Sequence, residues 1–222
     1  MTTALLLSGT GRYSDPWHPF TETSDAVADF LRSLKISVEL AADVDAALES
    51  LQDEAAWPDL LVVNVGLPRD GAASPGTDAA QAGLEAWVSG GRPLLALHSS
   101  STSFVDCDSW EQALGGRWVR GVSMHPAYGS AHILLEGSFP VGVPNFTVDD
   151  ERYSWLRTSP DVVVHARHKH ESHLHPLMWS LERKVDSGTA RSFYDALGHD
   201  AASYKSPERR QLLERAVNWL LA

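Results

Sequence analysis

Pro93-Leu94-Leu95-Ala96-Leu97-His98-Ser99-Ser100 is an apolar run that stops at a histidine and two serines. A short run with no polar side chain is what a strand covered on both faces looks like, and such strands belong to parallel sheets. Gly90-Gly91 stands just before it and ends a helical pattern over Thr77–Val88. Working outward, Asp59-Leu60-Leu61-Val62-Val63-Asn64-Val65 is a second near-continuous apolar strand, Ala4–Leu7 a third and Ile36–Leu40 a fourth. Ala26, Val27, Phe30, Leu31 and Leu34 recur at helical spacing within Thr21–Leu34, and Asp43 stands where it can cap a helix over Val44–Leu51. Strand and helix alternate through short connections. The pattern predicts a three-layer α/β fold around a mostly parallel, doubly wound sheet.

After Gly115-Gly116 the pattern changes. Ala131–Leu135, Phe146–Val148, Val162–His165, Met178–Leu181 and Ala190–Tyr194 read as strands with few helices between them. Pro207–Leu221 closes the chain as an amphipathic helix with Leu212, Leu213, Ala216, Val217 and Leu220 on one face. No repeat, low-complexity tract or linker interrupts residues 1–222, so one domain is expected.

Composition excludes several functions. The formal net charge is −11, from 18 Lys+Arg against 29 Asp+Glu, and no basic run is present. Nucleic acid and anionic membrane both need clustered positive charge and are therefore poor partners. A single cysteine, Cys107, permits neither an intrachain disulfide nor a cysteine-based zinc cage. The amino terminus lacks the basic n-region of a signal peptide, and no apolar run approaches the roughly 20 residues that span a bilayer. A cytoplasmic protein with a small-molecule partner is the expectation. Eight tryptophans are many for this length. They pack at the core edge, line an aromatic ligand site, or are covered in a homo-oligomer or larger assembly. Ser8-Gly9-Thr10-Gly11 has neither the Lys-Ser/Thr of a P-loop nor the third glycine of a dinucleotide fingerprint, so no nucleotide cofactor is expected.

A second apolar run, Ser192-Phe193-Tyr194-Asp195-Ala196-Leu197, also ends at a histidine, in Gly198-His199-Asp200. Ligands of open α/β sheets bind outside the carboxyl ends of the strands, so His98 and His199 can meet in one site. Two chemistries stay open for such a pair with a carboxylate. One is binding of a divalent metal such as Zn²⁺ by His98 and His199; the other is metal-free acid–base catalysis.

Several ordered motifs carry a resemblance. Gly90-Gly91-Arg92-Pro93-Leu94-Leu95-Ala96-Leu97-His98-Ser99 is followed by Leu114-Gly115-Gly116-Arg117-Trp118 and His125-Pro126. Then come Asp149-Asp150-Glu151-Arg152-Tyr153, Pro176-Leu177-Met178-Trp179 and Ala190-Arg191-Ser192-Phe193-Tyr194-Asp195-Ala196-Leu197-Gly198-His199-Asp200, with Pro207 and Trp219 behind them. The set resembles the ThuA-like (trehalose utilisation) family, whose fold is similar to class I glutamine amidotransferases and the flavodoxin-like group. Two positions depart from that pattern: Ala96 stands where the family often has glycine, and Ala190-Arg191-Ser192 where it usually has Gly-Arg-Val.

The resemblance implies an enzyme acting on trehalose or a related keto-disaccharide. It places His98 at or near the elbow that holds the amidotransferase cysteine, and His199 near the amidotransferase histidine. It also points to Glu151 as the catalytic carboxylate with His98 and His199, and to His18 and His125 as residues lining the site. Trp17, Tyr128, Tyr153 and Trp155 can supply an aromatic platform for a sugar, and Asp200 either orients His199 or caps the next turn. Cys107 lies nine residues past His98, between Asp106 and Asp108, which disfavour a thiolate. A cysteine-dependent glutaminase is not expected. The alternative function is a non-catalytic binding or interaction domain that keeps the amidotransferase-like shell. His165, His168, His170, His173 and His175 form a separate cluster, expected to be an exposed hairpin or loop without a dedicated ion.

Overall fold

The computed structural model describes residues 1–137, 139 and 141–222. Its first half is the alternation expected from the apolar runs: β1 (Thr3–Ser8), α1 (Phe20–Ser33), β2 (Ser37–Ala41), α2 (Val44–Ser50), β3 (Leu60–Asn64), α3 (Asp78–Ser89) and β4 (Leu94–Leu97). Local chemistry sets the boundaries. Asp43 and Thr77 accept hydrogen bonds from the amides of Ala46 and Ala80 and so begin α2 and α3. His98–Thr102 forms a 3₁₀ turn, followed by α4 (Asp108–Leu114) and the short β5 (Gly116–Arg117). The second half is β6 (Gly129–Leu135), β7 (Phe146–Asp150), β8 (Arg157–Thr158), β9 (Val163–His170), β10 (His173–Val185), β11 (Gly188–Asp195) and α5 (Pro207–Leu221).

Nine strands form one mixed sheet in the order β2-β1-β3-β4-β11-β10-β9-β6-β7. The half from β2 to β11 is parallel and the half from β11 to β7 antiparallel. Leu60–Val63 and Leu94–Leu97 are buried throughout, as strands covered on both faces must be. Helices α2, α3 and α4 pack in series, while α5 packs on β4 and β11 and carries Arg210 to the Phe30 ring of α1.

The chain runs from β1 through α1 to β2 on one side of it, then back through α2 to β3 on the other. This reversal opens a crevice at the carboxyl edge. β6 reaches β9 only through Leu134 and Leu135. The other end of the β6–β7 pair, at Gly129 and Asp150, lies against the turn after β11.

The histidine-rich segment is the β9–β10 hairpin, as expected, but its exposure is a correction. His165, His168 and His175 are buried. Both faces of β9 are covered: His165 stacks on Phe193 and bonds Ser180 Oγ (2.8 Å), whereas His168 meets Ser154 and the Tyr153 carbonyl. A run rich in His, Arg and Lys carries no apolar signal that would reveal such cover.

Candidate active site

His98 begins immediately where β4 ends, with φ of 40°, a left-handed conformation unusual outside glycine. The Tyr194 hydroxyl helps hold this elbow by donating to the His98 carbonyl (2.7 Å). The His98 ring is buried, and its Nδ1 donates to the Ala196 carbonyl (2.7 Å). That bond fixes the tautomer and leaves the Nε2 lone pair facing the crevice. Tyr153, stacked on His98, donates its hydroxyl to this Nε2 at 3.1 Å.

His18 arrives from the loop after β1. Asp15-Pro16-Trp17-His18 is a turn in which Asp15 accepts from the amides of Trp17 and His18. The same carboxylate accepts from His18 Nδ1 at 2.8 Å, so Nε2 is again the free nitrogen. Burial lowers the His18 pKa and disfavours the charged ring, against the opposing pull of Asp15. Burial raises the Asp15 carboxyl, but the His18 ring and the His18 and Trp17 amides together outweigh it and the net shift is downward.

His199 follows β11 on a tight turn. Gly198 has φ of 116°, and a Cβ there would meet Tyr204 Oη at 2.6 Å and Arg209 Nη2 at 2.9 Å, so glycine is required. Arg209, fully buried on α5, braces this turn through Asp195 (2.9 Å), Ser203 and the Leu197 carbonyl (2.8 Å).

Glu151 follows β7 and joins the three imidazoles. Its Oε2 lies 3.4 Å from His199 Nδ1, 3.6 Å from His98 Nε2 and 4.0 Å from His18 Nε2. Its Oε1 lies 3.5 Å from Nδ1 of the half-open His125. Burial alone would raise the Glu151 pKa, but the facing His199 pulls it down and the net shift is well below the usual carboxylate range. Glu151 in turn raises the pKa of His199, against the effect of burial.

Asp150 was not singled out in the sequence, yet it ties the site together. Its buried carboxylate accepts from the amides of Glu151 (2.8 Å), Gly198 (2.8 Å) and His199 (3.0 Å). One anion thus registers two site residues that are distant in sequence. Nothing in Asp149-Asp150-Glu151 separates it from its exposed neighbour except the alternation of burial along β7. Asp15 had a legible signal, since Asp-Pro begins turns.

The remaining expected residues divide. His125 and Tyr153 lie at the site. Tyr128 is exposed on its rim, 5.4 Å ring to ring from His199, with its hydroxyl on Asp200 (2.7 Å). Asp200 accepts from Tyr128 and caps its own turn through the Ala202 amide (2.7 Å). Trp17 is 54% exposed and packs under the Arg69 guanidinium, so its face is shared with a cation. Trp155 packs on His173 and His175 of the hairpin rather than on the site histidines. Cys107 lies at the start of α4 against Ser109, buried, with its thiol pKa raised by burial. The elbow itself is occupied by His98.

Residues 4–220 match the ThuA family, described as trehalose utilisation. The chain belongs to the ThuA family. Among solved structures it is similar to a ThuA-like protein from Parabacteroides merdae, at 15% identity and TM-score 0.76, with 100% of this chain and 90% of that chain covered. A ThuA-like protein from Bacteroides uniformis is similar at 14% identity and TM-score 0.73, covering 99% of this chain and 91% of the other. A glutamine amidotransferase from Thermotoga maritima shares the fold at 10% identity and TM-score 0.54, with 99% and 98% covered. No curated protein matches the chain. The ThuA and amidotransferase-like architecture is thereby shown. No described helix is long and apolar enough to cross a membrane.

Proposed function

We propose that this ThuA-family chain is a cytoplasmic enzyme of carbohydrate utilisation. It acts on trehalose or a related keto-disaccharide through imidazole and carboxylate groups, without a cysteine nucleophile. The family supports the substrate class. One observation carries the chemistry: three imidazoles and Glu151 converge at the carboxyl edge of the sheet, where ligands of this architecture bind. Tyr128 on the rim suits the apolar face of a sugar ring, and His125 stands at the open side. His125 is placed to exchange a proton with a bound hydroxyl or carbonyl, with Glu151 Oε1 beside it.

The test is product analysis by NMR with trehalose and its keto derivatives, using wild type, Glu151→Gln and His125→Ala. Wild type should turn over at least one of these sugars. Loss of the acid–base group should lower kcat/KM by roughly 10²–10⁴-fold. Binding without turnover would replace the enzyme by a sugar-binding domain, and absence of both would overturn the substrate class.

A further inference from the structure

We propose that His18, His98, Glu151 and His199 hold a divalent first-row transition metal. The inference rests on reading this cluster as the working site, but not on the sugar. One donor atom from each residue lies within 4.8 Å of every other. Metal–ligand bonds of 2.0–2.2 Å in tetrahedral geometry set ligand atoms roughly 3.3–3.5 Å apart. The separations from Glu151 Oε2, 3.4, 3.6 and 4.0 Å, approach that spacing without rearranging any element.

Hydrogen-bond accounting gives an independent argument. His18 and His98 spend their ring hydrogens outward, on Asp15 and on the Ala196 carbonyl. Both therefore turn lone pairs toward Glu151 Oε2, itself an acceptor. His18 Nε2, His199 Nδ1 and Glu151 Oε2 are buried with no hydrogen-bond partner. Buried polar atoms are ordinarily satisfied, and acceptors facing acceptors repel. A proton on His199 would relieve one contact. A cation at the centre relieves them all.

The surroundings match what metal sites require. Metal-binding histidines commonly donate their second nitrogen to a carboxylate or backbone carbonyl, which fixes the ring and raises its basicity. Asp15 and Ala196 supply one of each. Three nitrogens and one carboxylate oxygen suit Zn²⁺, Co²⁺, Fe²⁺ or Ni²⁺, whereas Mg²⁺ and Ca²⁺ favour oxygen-only sets. His125 faces the other carboxylate oxygen and stands outside the ligand set. With a metal on His98 Nε2, the Tyr153 hydroxyl gives up that acceptor and becomes free to meet a substrate oxygen.

The experiment uses full-length protein without a His-tag, stripped with chelator and then loaded with Zn²⁺ or Co²⁺. Elemental analysis and the visible absorption of Co²⁺ are the readouts. Wild type should take up one ion per chain with a Co²⁺ spectrum of low coordination number. His18→Ala and Glu151→Gln should each abolish that spectrum while keeping a cooperative thermal transition. Asp15→Asn, which leaves every ligand in place, should weaken the ion by about 10–100-fold. Substoichiometric uptake by wild type would overturn the proposal. So would retention of the ion by both ligand variants, or its loss from a His170→Ala/His173→Ala variant of the hairpin. A loaded protein inactive on every sugar would overturn the substrate class and leave the metal centre standing.

Discussion

Replacing Asp150 by asparagine tests whether one carboxylate registers the site. The change is isosteric, but only one of the two side-chain atoms can still accept. With oxygen kept toward Glu151 and His199, the amide NH₂ faces the Gly198 N–H, which now donates to Oδ2 at 2.8 Å. A buried donor left without an acceptor costs about 1–3 kcal/mol, and turning two charge-assisted bonds into neutral ones costs about 1 kcal/mol each. The expected loss is about 3–5 kcal/mol. For a domain of this size that corresponds to roughly 10 °C in melting temperature. Urea unfolding of wild type, Asp150→Asn and Asp149→Asn at neutral pH provides the assay. Asp149, exposed on the same strand, should change stability by no more than about 0.5 kcal/mol. Because Glu151 and His199 share the anchor, the Co²⁺ affinity of Asp150→Asn should fall as well, by about 10–100-fold. A loss below about 1 kcal/mol with unchanged ion affinity would refute the idea that Asp150 aligns the two residues.

Other predictions concern the thiol and the buried histidines. Cys107→Ser should retain any sugar turnover and melt within a few degrees of wild type, since Cys107 lies off the elbow; inactivation of a stable variant would restore a thiol mechanism. Burial lowers the pKa of both His165 and His168 to about 4, so the folded protein keeps them neutral where the unfolded chain takes up protons near 6.5. Their stabilisation is fully present above about pH 6.5 and is lost as pH falls toward 4, by about 1–2 kcal/mol each at pH 5. Melting temperature followed from pH 7.5 to 5 should fall less in His165→Gln than in wild type, after allowing for its lower starting stability. Parallel curves would show that His165 is not buried neutral.

Much of the architecture was legible in the chain because parallel strands buried on both faces are read as apolar runs. Leu60–Val63, Leu94–Leu97 and the helix Pro207–Leu221 stand where periodicity put them. The antiparallel half was less legible. β10 extends over His173–Val185, far beyond the apolar Met178–Leu181, because hairpin strands are stabilised by backbone pairing that polar side chains do not announce. α4 was missed altogether. Its seven residues, Asp108–Leu114, are too few for helical periodicity to stand out.

The sequence by itself determined the fold class, the family, and the two histidines that follow β4 and β11, since each rests on local pattern or ordered motifs. The family resemblance also pointed Glu151 and His18 to the site, but only the tertiary structure decided that one oxygen of Glu151 faces all three imidazoles. It also showed that the free nitrogens face inward, and that Asp150 joins β7 to the turn after β11. Those facts depend on strand order, on the register of β6 with β7 and on where each ring spends its hydrogen. Such contacts link residues dozens of positions apart, and no local pattern along the chain encodes them.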